Sequence, residues 1–366
     1  MKKIIYIANS RIPTEKAHGI QIMKMCQAFA KIGNKVTLVL PRRRNPIIAD
    51  PFEYYVVSQS FNIIKLPTID LVFLGKIGFL IQSLSFAISA FIFLLFQKAD
   101  VVYARDELAL FLLSLNGKRF VWETHTPKNN FISRRVTHRA GSVVAITKSL
   151  GEFYAKLGVP ENKILIAPDG VDLEQFNISD TKEGARKKLG LPVQEKIILY
   201  AGHLYAWKGV DILALAAPLL PENTNVIFIG GTEKDIKAFK SKYGSTKNVR
   251  ILGKKPYGQM PLYMRAADVL VIPNSAKDDV SRLYTSPMKL FEYMASGTPI
   301  VASDLPSVRE ILDDSMAYFF KPDDERSLKE SINKVLASEK NLNNSVDKAK
   351  EYSWDNRAIK VIELLK

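Results

Sequence analysis

Along this chain, short runs of Ile, Val, Leu and Tyr alternate with longer segments whose apolar residues return every third or fourth position. The first pattern is that of strands buried on both faces; the second is that of helices with one apolar stripe. Strands are predicted at 3–8, 35–40, 101–103, 120–123, 142–146 and 163–167, with a strand-like segment at 63–66 and a helix over 20–32 ended by Gly33. Residues 172–194 are polar and read as a linker, with a helix at 182–189 stopped by Gly190 and Pro192. A second series follows, with strands at 196–200, 225–229, 249–252, 269–272 and 300–302 and a helix from Val210. Another helix begins at Pro287, carries Met288, Leu290, Phe291, Met294 and Ala295 on its apolar face, and ends at Gly297. After helical residues 327–336 and a polar stretch at 341–344, a last amphipathic helix covers 354–365, with Trp354, Ala358, Val361, Ile362 and Leu365 apolar.

Strand–helix alternation through both halves predicts an α/β fold of two Rossmann-like, doubly wound domains with a ligand cleft between them. The length of 366 residues agrees, since single cores stop growing below that size. One cysteine, Cys26, excludes a disulfide framework and a Cys/His metal cluster, and its apolar neighbours Ile22, Met23, Met25 and Phe29 place it in a core helix. The start MKKIIYIANS runs straight into a strand without a signal peptide, so a cytoplasmic setting is expected. Residues 77–96 carry no charge and are long enough to cross a bilayer. Strand-like segments on either side, and the polar Gln82, Ser83, Ser85 and Ser89 within, argue instead for a buried crossover helix with one face available to a membrane interface.

Charge sharpens that expectation. Of a net +15, residues 1–172 hold 23 Lys and Arg against 12 Asp and Glu, while the rest hold 29 against 25. The clusters Arg42-Arg43-Arg44 and Arg134-Arg135 with Arg139 have no interleaved aromatics, so a nucleic-acid partner is not expected; an anionic membrane surface or a phosphate-bearing acceptor is.

The segment from Ser286 to Ser303, SPMKLFEYMASGTPIVAS, concentrates candidate chemistry. A helix N-terminus at Ser286-Pro287-Met288 presents free N–H groups and the positive end of a dipole to phosphate oxygens, and Lys289 adds a cation. Glu292 stands roughly 8 Å along the helix from Pro287, the distance from a pyrophosphate to the ribose hydroxyls of a nucleotide. A second phosphate-binding pattern is the glycine turn and lysine after the strand at 196–200, Gly202-His203-Leu204-Tyr205-Ala206-Trp207-Lys208-Gly209. Gly19, where the loop 9–19 enters a helix, permits close approach of backbone to a ligand, and His125 in WETHT follows a strand. Asp278-Asp279 lacks partners at ligand spacing, so no metal is expected there, and no cofactor is expected anywhere.

These residues resemble the sugar-nucleotide motifs of the retaining GT-B glycosyltransferases of family 4, the glycosyl transferases group 1. The resemblance covers nearly the whole chain. It implies that Glu292 binds the ribose and that Tyr284 stands eight positions earlier where many members hold a second acidic residue at the donor sugar, this chain matching the variant S-P-x-K-x-x-E-Y-M-A. Lys208 matches the lysine that neutralises the donor pyrophosphate, with His203 where arginine is usual. Gly19 corresponds to a loop over the donor phosphate, His125 to a histidine near the transferred sugar, and Asp169 to the asparagine of N-G-V-D-x-x-x-F, whose Asp172 reads as a cap or hinge. The implied domains are 1–172, acceptor-binding; 173–350, nucleotide-sugar-binding; and 351–366, a helix crossing back onto the first.

The implied activity is transfer of a sugar from a UDP- or GDP-sugar to a glycan or lipid-linked acceptor with retention, without bound metal, in cell-surface polysaccharide or glycolipid synthesis. The enzyme would sit at the inner face of the cell membrane. Lys208, His125 and Glu292 are the expected catalytic residues; donor binding is expected from Gly19, Gly202, His203, Lys208, Tyr284, Ser286, Pro287, Met288, Lys289 and Glu292. Two routes to retention stay open: acceptor entry on the face the leaving group vacates, and a covalent intermediate, for which the motifs place no nucleophile. Two other readings also stand, a sugar-nucleotide epimerase on the same fold and a non-catalytic sugar-nucleotide-binding subunit.

Overall fold

The computed structural model describes residues 1–338 and 344–364; positions 341–343 of the polar stretch, and Leu365, lie outside the described residues. The chain forms two compact units, Met1–Pro168 with Trp354–Lys366, and Asp169–Ser353.

Seven strands build the sheet of the first unit: β1 (Lys3–Ile7), β2 (Lys35–Pro41), β3 (Asn62–Leu66), β4 (Val101–Ala104), β5 (Val121–Thr124), β6 (Ser142–Ala145) and β7 (Ile164–Ile166). They run parallel in the order β3-β2-β1-β4-β5-β6-β7. Helices cover both faces, which is why Ile4, Ile5, Tyr6 and Ile7 are all buried and the central strands read as unbroken apolar runs. Winding reverses between β1 and β4, so the loops after these strands part and leave a crevice at the carboxyl edge.

Helix α1 (Ala17–Lys31) follows the first loop and α2 (Gly75–Leu95) connects β3 to β4. Because β3 and β4 belong to one sheet, α2 cannot span a membrane between them. Its inner face buries Gly78, Gln82, Ser83, Phe86, Ala87, Ala90 and Leu94. The polar residues that interrupt it anchor that face: Gln82 Nε2 donates to Asn9 Oδ1 at 2.8 Å, Asn9 Nδ2 to Ser83 Oγ at 3.0 Å, and Ser89 Oγ to the Pro67 carbonyl at 2.7 Å. The opposite face is apolar and bare, with Ile77 73% and Ile88 52% exposed and Phe79, Leu80, Leu84, Ile92 and Leu95 beside them.

The second unit repeats the design with β8 (Lys196–Ala201), β9 (Thr224–Ile229), β10 (Val249–Gly253), β11 (Val269–Ile272), β12 (Ile300–Ser303) and β13 (Tyr318–Phe320). These are parallel in the order β10-β9-β8-β11-β12-β13, with the reversal between β8 and β11. Edge strand β13 has no counterpart in the sequence reading; three residues, two of them half-buried, are too short for a periodicity signal. Helix α3 (Met288–Ser296) precedes β12. The segment read as a linker is folded into this unit: Arg186 is buried, donates to the Ala266, Val193 and Glu195 carbonyls, and pairs with Asp268 at 2.5 Å. The last helix, α4 (Trp354–Glu363), follows the second unit in sequence but belongs to the first, where its Asp355 pairs with Lys31 of α1 at 2.7 Å.

Candidate active site

In the second unit the candidate residues gather at the carboxyl edge of the sheet, beside the reversal. β8 ends at Ala201, whose N–H donates to the Tyr293 hydroxyl of α3 at 2.9 Å, and the chain turns at Gly202 (φ +145°). A 3₁₀ turn, Ala206–Lys208, then carries Trp207 and Lys208. Gly209 closes it at φ +68°, and a Cβ there would stand 1.8 Å from the Pro273 carbonyl oxygen, so only glycine lets this turn lie against the loop after β11. The Ser275 N–H donates to the Trp207 carbonyl at 3.1 Å and fixes the two loops together.

The Lys208 ammonium lies 3.9 Å from the centroid of the Trp207 ring. Burial lowers its pKa to about 8, with the Asp169 carboxylate opposing. Lys289, in the first turn of α3, is 8% exposed; its ammonium sits 3.8 Å from the centroid of the Tyr200 ring and has no hydrogen-bond partner among the described residues. Burial and then the Lys208 charge push its pKa well down, with Glu292 opposing. Glu292, one turn on, is 7% exposed, and its Oε1 accepts from the Tyr257 hydroxyl at 3.0 Å. The structure thus brings Lys208, Lys289 and Glu292 into one electrostatic neighbourhood.

Other expected donor-binding residues differ in detail. Pro287 is extended (φ −76°, ψ 117°) and precedes α3 as its N-cap, not as its first helical residue; the helix starts at Met288. Ser286 makes no cap to α3, because its hydroxyl accepts from the Asp169 N–H at 2.9 Å. Pro287 and Met288 are buried. Half-buried Tyr284 ends a short helix, Asp279–Leu283, for which Asp278 is the N-cap. The His203 ring stacks in parallel on Tyr205, with centroids 4.9 Å apart. Asp172 caps Leu173–Phe176 through the Gln175 N–H.

The first unit holds a second cluster at its own reversal. His125 follows β5, and its Nε2 lies 2.6 Å from Glu123 Oε1, which also accepts from Gln21 Nε2 at 2.6 Å. Glu123 Oε2 takes the Tyr103 hydroxyl and pairs with Arg357 of α4 at 3.0 Å. Arg105, after β4, donates to Gln21 Oε1 at 2.7 Å and lies 3.9 Å from Glu123. Burial alone would raise the Glu123 pKa, but Arg357, His125 and Arg105 outweigh it and hold the carboxyl well below its usual range. Burial and Arg105 lower His125 to about 4, so at neutral pH it is an uncharged imidazole that donates Nε2–H to Glu123 and turns Nδ1 as an acceptor. His18 is lowered to about 3 by burial, with Arg105, Lys16 and His125 adding to it.

Gly19 lies inside the first turn of α1, not in the loop. A Cβ there would stand 2.1 Å from the Tyr55 hydroxyl, which accepts from the Thr14 N–H at 2.6 Å, so this glycine serves the packing of the loop itself. Glu123, Arg105, Gln21, His18 and Arg357 escaped the sequence reading. For Glu123 and Arg105 the available signal was a charged residue at the end of an apolar strand; His18, Gln21 and Arg357 had none, being polar positions on helices.

Two units, each a parallel sheet wound in both directions from its middle, define a protein of the GT-B class. The family model "Glycosyltransferase Family 4" matches residues 19–175 and "Glycosyl transferases group 1" matches 181–352, together spanning nearly the whole chain, and the chain belongs to this family of GT-B glycosyltransferases. It is 26% identical over 236 residues to a Bacillus subtilis glycosyltransferase named for teichuronic acid biosynthesis, TuaC, covering 64% of this chain and 57% of that one. It is 28% identical over 193 residues to a D-inositol 3-phosphate glycosyltransferase of Xylanimonas cellulosilytica, covering 49% and 45%. The chain therefore spans roughly half the length of these curated relatives. Among solved structures, Anabaena HepE in complex with UDP and glucose superposes with a TM-score of 0.76 at 16% identity over 99% of both chains, a likeness of fold.

Proposed function

We propose that the chain moves a sugar from a UDP- or GDP-sugar to a lipid-linked or glycan acceptor with retention at the anomeric carbon and without a bound metal. The carrying observation is the pair of lysines, 208 and 289. Two partly dehydrated ammonium groups that disfavour each other, one of them lacking any hydrogen-bond acceptor among the described residues, form a cation site completed by a diphosphate. Glu292, oriented by Tyr257, accepts from the ribose hydroxyls.

In the reaction the bond from the anomeric carbon to the diphosphate oxygen breaks, and a bond from an acceptor hydroxyl oxygen to that carbon forms. The released proton passes to the departing phosphate. Negative charge that grows on the leaving group meets fixed cations in a site of low dielectric, which lowers the barrier. Neutral His125 offers Nδ1 to a hydroxyl of the sugar or acceptor. HepE's UDP and glucose, on a fold like this one, favour a uridine nucleotide as donor.

A lipid-linked acceptor is favoured by the bare apolar face of α2 and the basic residues around it, which suit a peripheral enzyme at the cytoplasmic face of the cell membrane making surface polysaccharide or glycolipid. The test is release of UDP or GDP from a panel of nucleotide sugars, with and without lipid extract, and NMR of the product anomer. Acceptor-dependent release with the anomeric configuration kept is the expected result. Sugar interconversion on the intact nucleotide would make it an epimerase, and donor binding without turnover a binding subunit.

A further inference from the structure

We infer that Arg357 of α4 is a positioning residue for His125, acting through the buried carboxylate of Glu123. This rests on the reading of His125 as a group at the reacting sugar. The Arg357 side chain is 3% exposed and every face of its guanidinium is used. Nη2 meets Glu123 Oε2 at 3.0 Å and the Ala167 carbonyl at 3.2 Å, Nε donates to the Pro168 carbonyl at 2.8 Å, and Nη1 lies 3.5 Å from the Tyr103 hydroxyl.

Glu123 is saturated in turn. One carboxylate oxygen is taken by Arg357 and Tyr103, the other by Gln21 and His125. A planar carboxylate held at both oxygens cannot rotate, so the His125 ring inherits a fixed plane and a fixed tautomer, Nε2–H inward and Nδ1 outward. With Arg357 gone, the Glu123 charge would remain in the core with only Arg105, at 3.9 Å, to offset it. The carboxyl would turn toward Arg105 or take a proton, and His125 would lose its orientation. The charged and titratable groups facing His125 are Glu123 from β5, Arg105 from the loop after β4, His18 from α1 and Arg357 from α4. Only the last is supplied by a segment that returns after the whole second unit.

The experiment combines NMR of ¹⁵N-histidine-labelled protein with steady-state kinetics, the His125 signals among the four histidines being assigned from their loss in His125→Asn. In wild type the His125 nitrogens should report a single neutral Nε2–H tautomer down to about pH 5. In Arg357→Met the tautomers should mix or the ring protonate near neutral pH, and kcat should fall roughly ten- to hundredfold with the dissociation constant for UDP unchanged. The double variant Arg357→Met/His125→Asn should be no slower than His125→Asn alone. Unchanged His125 signals, or losses that multiply in the double variant, would overturn the inference. Full turnover by His125→Asn would instead remove His125 from the reaction, while the tautomer measurement still decides the link to Arg357. Should Arg357→Met fail to fold, Arg357→Lys, which keeps the charge but cannot reach both carbonyls and Glu123, gives the same two readouts.

Discussion

At the scale of single residues, Lys208 and Lys289 carry the most testable chemistry. Lys208 has a pKa near 8, against 10.5 for a free lysine, because burial outweighs the nearby Asp169 carboxylate. A nucleoside diphosphate stabilises the protonated form, so UDP affinity should be high below pH 8 and fall as pH rises through it. The terminal phosphate of UDP loses its second proton near pH 6, so from pH 7 upward the diphosphate keeps its full charge and does not itself change the affinity. Calorimetry at pH 8 in buffers of different ionisation heat should show proton uptake on binding, since Lys289 is also depressed. Affinity that strengthens from pH 7 to 9 would remove the lysines from the diphosphate site. Between about 8 and 10.5 the folded protein binds fewer protons at Lys208 than its unfolded chain, so this group's contribution to stability rises with pH in that window; weaker UDP binding there is not unfolding. The lysines and Glu292 were legible because helix spacing and a strand-end turn place them. The buried Tyr200 ring beneath the Lys289 ammonium was not, because it depends on how a strand and a helix far apart in the chain meet.

At the scale of elements, α2 carries the proposed contact with a bilayer. Its bare face is aligned by helical spacing, and the basic residues near its start are Lys76, exposed Arg42 and Arg44, and Arg43, which pairs with Asp70 at 3.3 Å. Arginine or lysine near an anionic surface contributes about 1 kcal/mol each, and apolar side chains entering the headgroup region deepen the contact. Sedimentation with phosphatidylglycerol-containing vesicles should show binding at low salt and release at about 1 M salt. Leu84→Asp with Ile88→Asp, both at exposed positions, should cut the bound fraction without changing thermal stability. Equal binding by this variant would place the membrane contact elsewhere. Composition alone left α2 between a span and a crossover helix. The sheet resolves this, because β3 and β4 at its two ends share one ladder system.

At the scale of the whole molecule, the first unit is finished by a helix that arrives last in the chain. Trp354, 4% exposed, and fully buried Ala358 and Val361 lie on its inner face. Trp354→Ala should cost about 3–5 kcal/mol, the usual loss for a large buried aromatic, and should lower the urea midpoint. A change within 0.5 kcal/mol would mean that α4 is dispensable to the unit. The sequence by itself determined the α/β class, twelve of the thirteen strands among the described residues and the lysine and glutamate positions of the second unit, because periodicity, strand-end turns and helix spacing are local properties of the chain. Tertiary structure alone decided strand order, the packing duty of Gly19, the folding of the supposed linker around Arg186 and Asp268, and the Glu123 network. Those outcomes rest on pairing buried charge and filling space between residues far apart in the chain, as Arg357 is from Glu123, and no local pattern records a partner at that separation.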